Sequence, residues 1–385
     1  MEDRAFGELL SLAQSITDPR RHNRIHNLAE VIMMATLAVL GGAEGWVDVH
    51  DFVEDEEAWF RTFLKLSGGI PSHDTFGRIF ARLVPSEVER FVIGWTGVLR
   101  ERSKGRLLNI DGKGLRRSFK RGWDKSGMDH LVSAFMGENR LVLAQTNTPG
   151  KGHELAAIRQ LLNTVDVQDA VVTIDALGCQ HDVAATIIEK KADYVLSLKG
   201  NQSTLQTKVK VLLDEAILLK FKGMRFDFYE KTESGHGRIE TRKVWCTDEV
   251  HHLQGIGQWK GLKSVAVVES RRKVAGQAKE GLGDGTTIER RYYISSLPGN
   301  DAKLMARCIR GHWGVENGLH WILDVAFRED ECRIRTGHAA ENFSRLRRFA
   351  MNQYNKEKTR KDRSLRRKRK LCARNMPYLL KTLLA

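Results

Sequence analysis

The chain of 385 residues sets 63 Lys+Arg against 48 Asp+Glu, a formal charge of +15 at pH 7, which points to a polyanionic partner, chiefly nucleic acid. Its 41% hydrophobic and 8% aromatic content is that of a globular protein and excludes a disordered one. The longest apolar stretch, LAEVIMMATLAVLGGAEGW, is broken by Glu30 and Glu44 and is too short to cross a bilayer, so no membrane partner is expected.

Residues 1–105 read as helices, with apolar positions recurring at three and four residues through HNLAEVIMMATLAVL, DEEAWFRTFLKL, HDTFGRIFARL and SEVERFVIGWTGVL. A Gly-Gly turn precedes IPSHDTFGRIFARL, where Ser72 or Asp74 caps a helix. Both a helix-turn-helix and a plain helical hairpin fit this stretch. The pattern changes near Arg106. RLLNID, HLVSAFMG and RLVLAQTN are three strands in quick succession, and Gly137-Glu138-Asn139 supplies a hairpin turn between the second and third. Helix, strand, helix and strand follow in HELAAIRQLLNTV, AVVTIDALG, QHDVAATIIEKK and ADYVLSLKG, so residues 106–222 predict a mixed sheet covered by helices. Residues 223–298 alternate again, with a glycine-rich linker AGQAKEGLGDGTT, and predict an antiparallel insertion. A single long helix is expected from Asp301, its cap, to about Phe327, and another from about Gly337 to Asn352, within a segment 299–355. The last segment, 356–385, opens with KEKTRKDRSLRRKRK, ten basic residues against two acids, and is expected to be a basic tail that contacts DNA phosphates without sequence preference. The five cysteines are scattered and never spaced CxxC, and MEDRAFGELL has no signal-peptide pattern. Reduced thiols in a cytoplasmic protein are the expectation.

Asp111 in LLNIDGKG and Asp175 in VVTIDALG end the first and fourth strands with the same phrase. If those strands are neighbours, both carboxylates project at one sheet edge, and their repulsion calls for a cation between them. Hard oxygen donors of this kind suit Mg²⁺ or Mn²⁺. Locally LLNIDGKGLRRS also fits a phosphate-binding loop or an ordinary turn. A phosphate loop, however, needs more glycines and a helix directly after it, whereas here two more strands follow. On the expected long helix, Trp313, Glu316, His320 and Asp324 share a stripe, and Glu316 is a candidate third carboxylate. Lys113, Arg116 and Arg117 after the first strand, and Lys199, Asn201 and Gln202 after the fifth, are candidate DNA contacts, although an exposed basic turn explains the first three equally well.

Taken in order, NIDGK, TIDALGCQ, LKGNQ, HGRIETR and HWGVENGLHWILDVAFREDECRIR resemble the bacterial insertion-sequence DDE transposases that include the H-repeat-associated proteins. The resemblance spans nearly the whole chain, from DPRRHNRIHNLAEVI to about RRFAMN. It implies an RNase H-like α/β catalytic core, a mixed sheet flanked by helices, with a β-rich insertion before the last catalytic helix and an all-α N-terminal domain that contacts DNA. It implies Asp111, Asp175 and Glu316 as a catalytic triad holding two Mg²⁺ or Mn²⁺ ions, and spacings of 64 and 141 residues suit it. It implies cleavage of double-stranded DNA at the terminal inverted repeats of an insertion element and transfer of the 3′-hydroxyl into target DNA. It further implies a homodimer on DNA, working at the bacterial nucleoid. The rival expectations are an RNase H-like nuclease without strand transfer and a catalytically inactive DNA-binding relic. Related transposases with a β-insertion carry Tyr, Arg and Lys at set offsets around the catalytic Glu. Here those positions are Ile309, His312 and Leu323, so that signature is absent and phosphate gripping falls to Arg310, His312 or His320.

Overall fold

A computed structural model describes residues 2–22, 24–96, 107–118, 128–148, 152–235, 237–251, 253–274 and 286–385. The change of pattern near Arg106 and most of the linker AGQAKEGLGDGTT lie outside these residues. Six helices come first: α1 (Glu2–Gln14), α2 (Leu28–Leu40), α3 (Trp46–Asp55), α4 (Glu57–Phe60), α5 (His73–Phe80) and α6 (Pro85–Thr96). Strands β1 (Leu107–Gly114), β2 (His130–Met136) and β3 (Leu141–Thr148) follow, then α7 (Glu154–Thr164), β4 (Val171–Ile174), α8 (His181–Glu189), β5 (Asp193–Leu198) and α9 (Ser203–Leu218). Next come β6 (Asp227–Gly235), β7 (Arg238–Thr247), β8 (Ser264–Val274) and β9 (Thr286–Ser295). The chain closes with α10 (Ala302–Val315), α11 (Trp321–Phe327), α12 (Ala339–Lys356), α13 (Leu365–Cys372) and α14 (Met376–Leu383). The nine strands are ordered β3-β2-β1-β4-β5-β9-β8-β7-β6. No helix among the described residues is long and apolar enough to cross a membrane.

Two compact units divide the chain. One comprises residues 1–103, 112–165 and 315–385, the other 104–111 and 166–314, and β1 runs from the second into the first. In the first unit, α2 is buried at every position except Glu30, which explains why its sequence is apolar on all sides. Helix α12 is almost as deeply buried although it carries Arg345, Arg347 and Arg348. These guanidiniums are affordable there only because acids meet them, as Glu89 and Glu341 meet Arg345 at 2.8 and 3.2 Å. Edge strand β3 is covered by side chains. Asn352 accepts from the N–H of Val142 and donates to its carbonyl, at 2.8 and 2.7 Å, and Glu89 accepts from the N–H of Gln145.

Residues 356–385 were expected to be a basic tail, but they fold as α13 and α14, and their burial has a clear cause. Lys368 donates to the carbonyls of Tyr354 and Glu357, and Arg369 to Gly42 and Ala326 and to the Glu44 carboxylate. Both cations thus satisfy main-chain acceptors inside the unit, while Arg366, Arg367 and Lys370 remain exposed.

In the second unit, β4 pairs in parallel with β1 and β5, and β9, β8, β7 and β6 continue the sheet antiparallel from β5. Val195, Val244, Val268 and Tyr293 on the strands pack with Met305, Cys308 and Ile309 of α10. Asp301 caps α10, accepting from the N–H of Leu304 at 2.8 Å, and Ser72 caps α5 through the N–H of Thr75.

The expected continuous helix from Asp301 to Phe327 is interrupted. Glu316–His320 forms a π turn between α10 and α11, whose i→i+5 bonding displaces the i, i+4, i+8 stripe anticipated for Glu316, His320 and Asp324. Gly337, before α12, has φ +52°, and a Cβ there would stand 2.4 Å from the Ala81 carbonyl oxygen. Gly337→Ala is therefore predicted to destabilise the protein by about 2 to 4 kcal/mol, from left-handed strain and overpacking together, as read from urea midpoints.

Candidate functional site

The register of β1 and β4 builds the site. Leu107, Leu108, Asn109 and Ile110 stand opposite Val171, Val172, Thr173 and Ile174, so the next residues on each strand are Asp111 and Asp175. Side chains alternate along a strand, which puts Leu107, Asn109 and Asp111 on one face. Neighbouring strands lie about 4.8 Å apart, so the two carboxylates, 64 residues apart in sequence, begin one strand spacing apart.

Helix α10 lies on that face. A Cβ on Gly311 would come within 2.1 Å of Leu107 Cδ2, so this position admits the close approach. The next residue, His312, reaches Thr173, whose hydroxyl donates to Asn109 Oδ1 at 2.7 Å. That hydroxyl has spent its only proton, so His312 Nδ1 must donate to it across 3.1 Å, fixing the tautomer with Nε2 unprotonated. Burial pushes the His312 pKa down, against the pull of Asp175 and with the repulsion of Lys199, leaving a neutral imidazole.

Asp175 caps the turn that follows it, accepting from the N–H of Leu177 at 3.0 Å. Asn201 donates to the carbonyl of Ala176 and Gln202 to that of Cys179, so these two amides, expected to touch DNA, fasten the turn behind Asp175. Lys199 and Arg310 are exposed.

In the other unit, Gly112 opens the glycine-flanked lysine. A Cβ there would sit 2.8 Å from His130 Cε1 and 3.3 Å from the Glu154 carboxyl carbon, so the glycine is required by crowding. Lys113, expected to meet a phosphate, is inside a cage of acids. Its Nζ contacts Asp324, lies 3.2 Å from Glu329 and 3.7 Å from Asp330, and its side chain is 10% exposed. Arg116 pairs with Asp330 at 3.1 Å from the solvent side, whereas Arg117 is exposed. Burial opposes ionisation of Glu329, but Arg348, Lys113 and Arg347 outweigh it and hold the carboxyl at about 2. Burial pushes His320 down to about 3, and Lys113 and Arg348 add to the shift, so His320 is neutral and offers no cation to a phosphate. The roles of Asp324, Glu329 and Asp330 around Lys113 were not anticipated. Asp324 was read only as part of a helix stripe, and the run REDE, which holds Glu329 and Asp330, gives no indication of which lysine it meets.

Glu316 is exposed at the head of the π turn. Among the described residues no three His, Cys, Asp or Glu side chains gather into a cluster that could hold a metal ion. Asp111 and Asp175 are two hard oxygen donors side by side, which fits part of a divalent-ion site.

Residues 95–353 match the family described as "Transposase DDE domain", and residues 11–96 match "DDE_Tnp_1-associated". The chain is 37% identical to "Putative transposase YncI" of Escherichia coli O157:H7 over 96% of its own length and 93% of that protein's. It is 36% identical to "H repeat-associated putative transposase YhhI" of Escherichia coli K12, covering 93% of this chain and 92% of that one. A cryo-EM structure of the piggyBac transposase synaptic complex with hairpin DNA aligns over 99% of this chain and 80% of its own, at 11% identity and a TM-score of 0.41, too remote to bear on the site.

Two predictions follow from the buried charges. Glu329→Gln leaves Lys113, Arg347 and Arg348 without their common carboxylate and is predicted to cost about 3 to 5 kcal/mol in urea unfolding. The folded pKa of His320 lies below its unfolded value of 6.5, so between pH 6.5 and about 3 the unfolded chain binds a proton that the folded chain refuses. This contribution is whole above pH 6.5 and is lost as pH falls, at up to about 1.4 kcal/mol per pH unit. In His320→Asn, unfolding free energies measured from pH 7 to 4 are predicted to slope less steeply by that amount.

Proposed function

The chain belongs to the DDE transposase family, and we propose that it cuts DNA at the ends of an insertion element and joins the freed 3′-hydroxyl to target DNA. The observation that carries the reading is the β1–β4 register, which sets Asp111 and Asp175 level on parallel neighbours. A sheet in which β2 and β3 pair antiparallel and β4 pairs in parallel with β1 and β5, with helices between, supports an RNase H-like core with β6–β9 as its insertion. Glu316 is the third carboxylate of this proposal. It is the fourth residue after His312, which is seated on the Asp111 face. A π turn at such a position is common at functional sites.

In the proposed site, Asp111, Asp175 and Glu316 would hold two Mg²⁺ or Mn²⁺ ions, Asp111 serving both, Asp175 one and Glu316 the other. When bound, such ions neutralise the scissile phosphate and ease deprotonation of the attacking water or hydroxyl. The protein's own part is to hold these three carboxylates rigidly. Asn109, Thr173 and His312 lock the strand ends and α10 together, and Asn201 and Gln202 lock the turn after Asp175. Water attacks the phosphodiester at the element boundary and releases a 3′-hydroxyl. That hydroxyl then attacks a target phosphodiester, displacing a target 3′-oxygen. Lys199, Arg310 and Arg117, exposed and cationic, are assigned to the DNA backbone, and Lys113 to holding the end of β1. The N-terminal helices are assigned to recognition of the terminal repeats, the protein to the cytoplasm at the nucleoid, and a homodimer to the DNA-bound state, since two ends are cut together.

Incubation with a labelled element-end duplex, a target plasmid and Mg²⁺ or Mn²⁺ tests the reading. Nicking at the boundary with a joined product is expected. Cutting without joining would indicate a nuclease, and a gel shift without cutting an inactive relic. Asp111→Asn, Asp175→Asn and Glu316→Gln are each predicted to lower cleavage on the order of 10³-fold while leaving duplex binding intact. Wild-type rates in these variants would refute the assignment.

A further inference from the structure

The sequence CRIR, just beyond the π turn and α11, has no role in the chemistry above. In the first unit it forms part of the wall of a cavity of about 700 Å³, together with the opening turns of α3 and α5 and with Arg117. Five arginines line it, Arg78, Arg117, Arg328, Arg333 and Arg335, against the carboxylates of Glu44, Asp74 and Glu331.

Two of those carboxylates are already engaged by arginines. Glu44 pairs with Arg369 at 2.9 Å and Arg328 at 3.4 Å, Glu331 with Arg328, and Asp74 lies 3.5 Å from the His73 ring. Arg335 donates to the carbonyl of Arg117 at 2.9 Å. Among the described residues, Arg78, Arg117 and Arg333 have no carboxylate within ion-pair distance, and all three are exposed. Three guanidiniums with no carboxylate at ion-pair distance around one cavity call for an anion. A cavity of this size leaves a single phosphate loosely held, whereas a DNA strand, with a charge about every 3.4 Å of helix axis, supplies phosphates in series.

We propose that this cavity grips the sugar-phosphate backbone of a DNA strand through Arg78, Arg117 and Arg333. The proposal rests on the reading of the chain as one that acts on DNA. These contacts carry no base readout and set register and affinity.

The test is fluorescence anisotropy of a labelled duplex titrated with the full-length protein at several KCl concentrations, without divalent ions. In Arg78→Ala/Arg333→Ala the slope of log K against log[KCl] is expected to shrink by about 0.9 for each guanidinium removed. Affinity at 0.1 M salt should fall by about tenfold or more. Glu331→Gln removes one negative charge from the cavity wall, leaving Arg328 with Glu44 alone, and is expected to bind more tightly than wild type. This gain keeps the proposal open to refutation if the double variant folds poorly. Unchanged slope and affinity in a folded double variant, or no gain in Glu331→Gln, would overturn it. The two readings separate cleanly. A wild type that cleaves while the slopes stay fixed sinks the cavity proposal alone, and slopes that shift without any cleavage sink the transposition chemistry alone.

Discussion

The chemistry proposed for this protein depends on the parallel pairing of β1 with β4. That ladder brings two carboxylates level from positions 64 residues apart, and the hydrogen bonds and apolar packing of the sheet hold them there. At about 5 Å and an effective dielectric near 20, two like charges repel by about 3 kcal/mol. The fold bears this cost through Leu108, Ile110, Val172 and Ile174, which are buried on the strands behind the pair. A divalent cation between the carboxylates would turn the repulsion into attraction.

Around the pair, polar side chains are turned inward. Asn109, Thr173 and His312 bond one another, and Asn201 and Gln202 bond the turn after Asp175. Rigid support of this kind is what a site needs when catalysis relies on placing charges rather than on a protein nucleophile. Lys113 does the same work two residues beyond Asp111, where its ammonium anchors the end of β1 to Asp324, Glu329 and Asp330.

Much of this was legible in the sequence. The phrase TID ended its strand as expected, whereas β1 ran on past NID to Gly114; the turn at Gly137-Glu138-Asn139 joined β2 to β3, and Ser72 and Asp301 capped their helices. What could not be read were the choices that depend on tertiary partners. A lysine between glycines looks the same whether a phosphate or a buried carboxylate awaits it, and Lys113 met the carboxylate. His320 was expected to help grip a phosphate, but burial next to Lys113 and Arg348 keeps it neutral. The helical period ran unbroken through Glu316–His320, and nothing in the composition announced the π turn. The run of basic residues after Lys356 likewise hid which of them, Lys368 and Arg369, were needed inside.

The central claim is that Asp111 and Asp175, with Glu316 from beyond α10, hold one divalent-ion site. Replacing Mg²⁺ with Fe²⁺ and adding ascorbate and peroxide generates hydroxyl radicals at the bound ion, which cut the polypeptide next to it. The account predicts backbone cuts clustered near Asp111, Asp175 and Glu316, all abolished by Asp111→Asn. Cuts confined to other segments, or a cutting pattern that Asp111→Asn leaves unchanged, would contradict it.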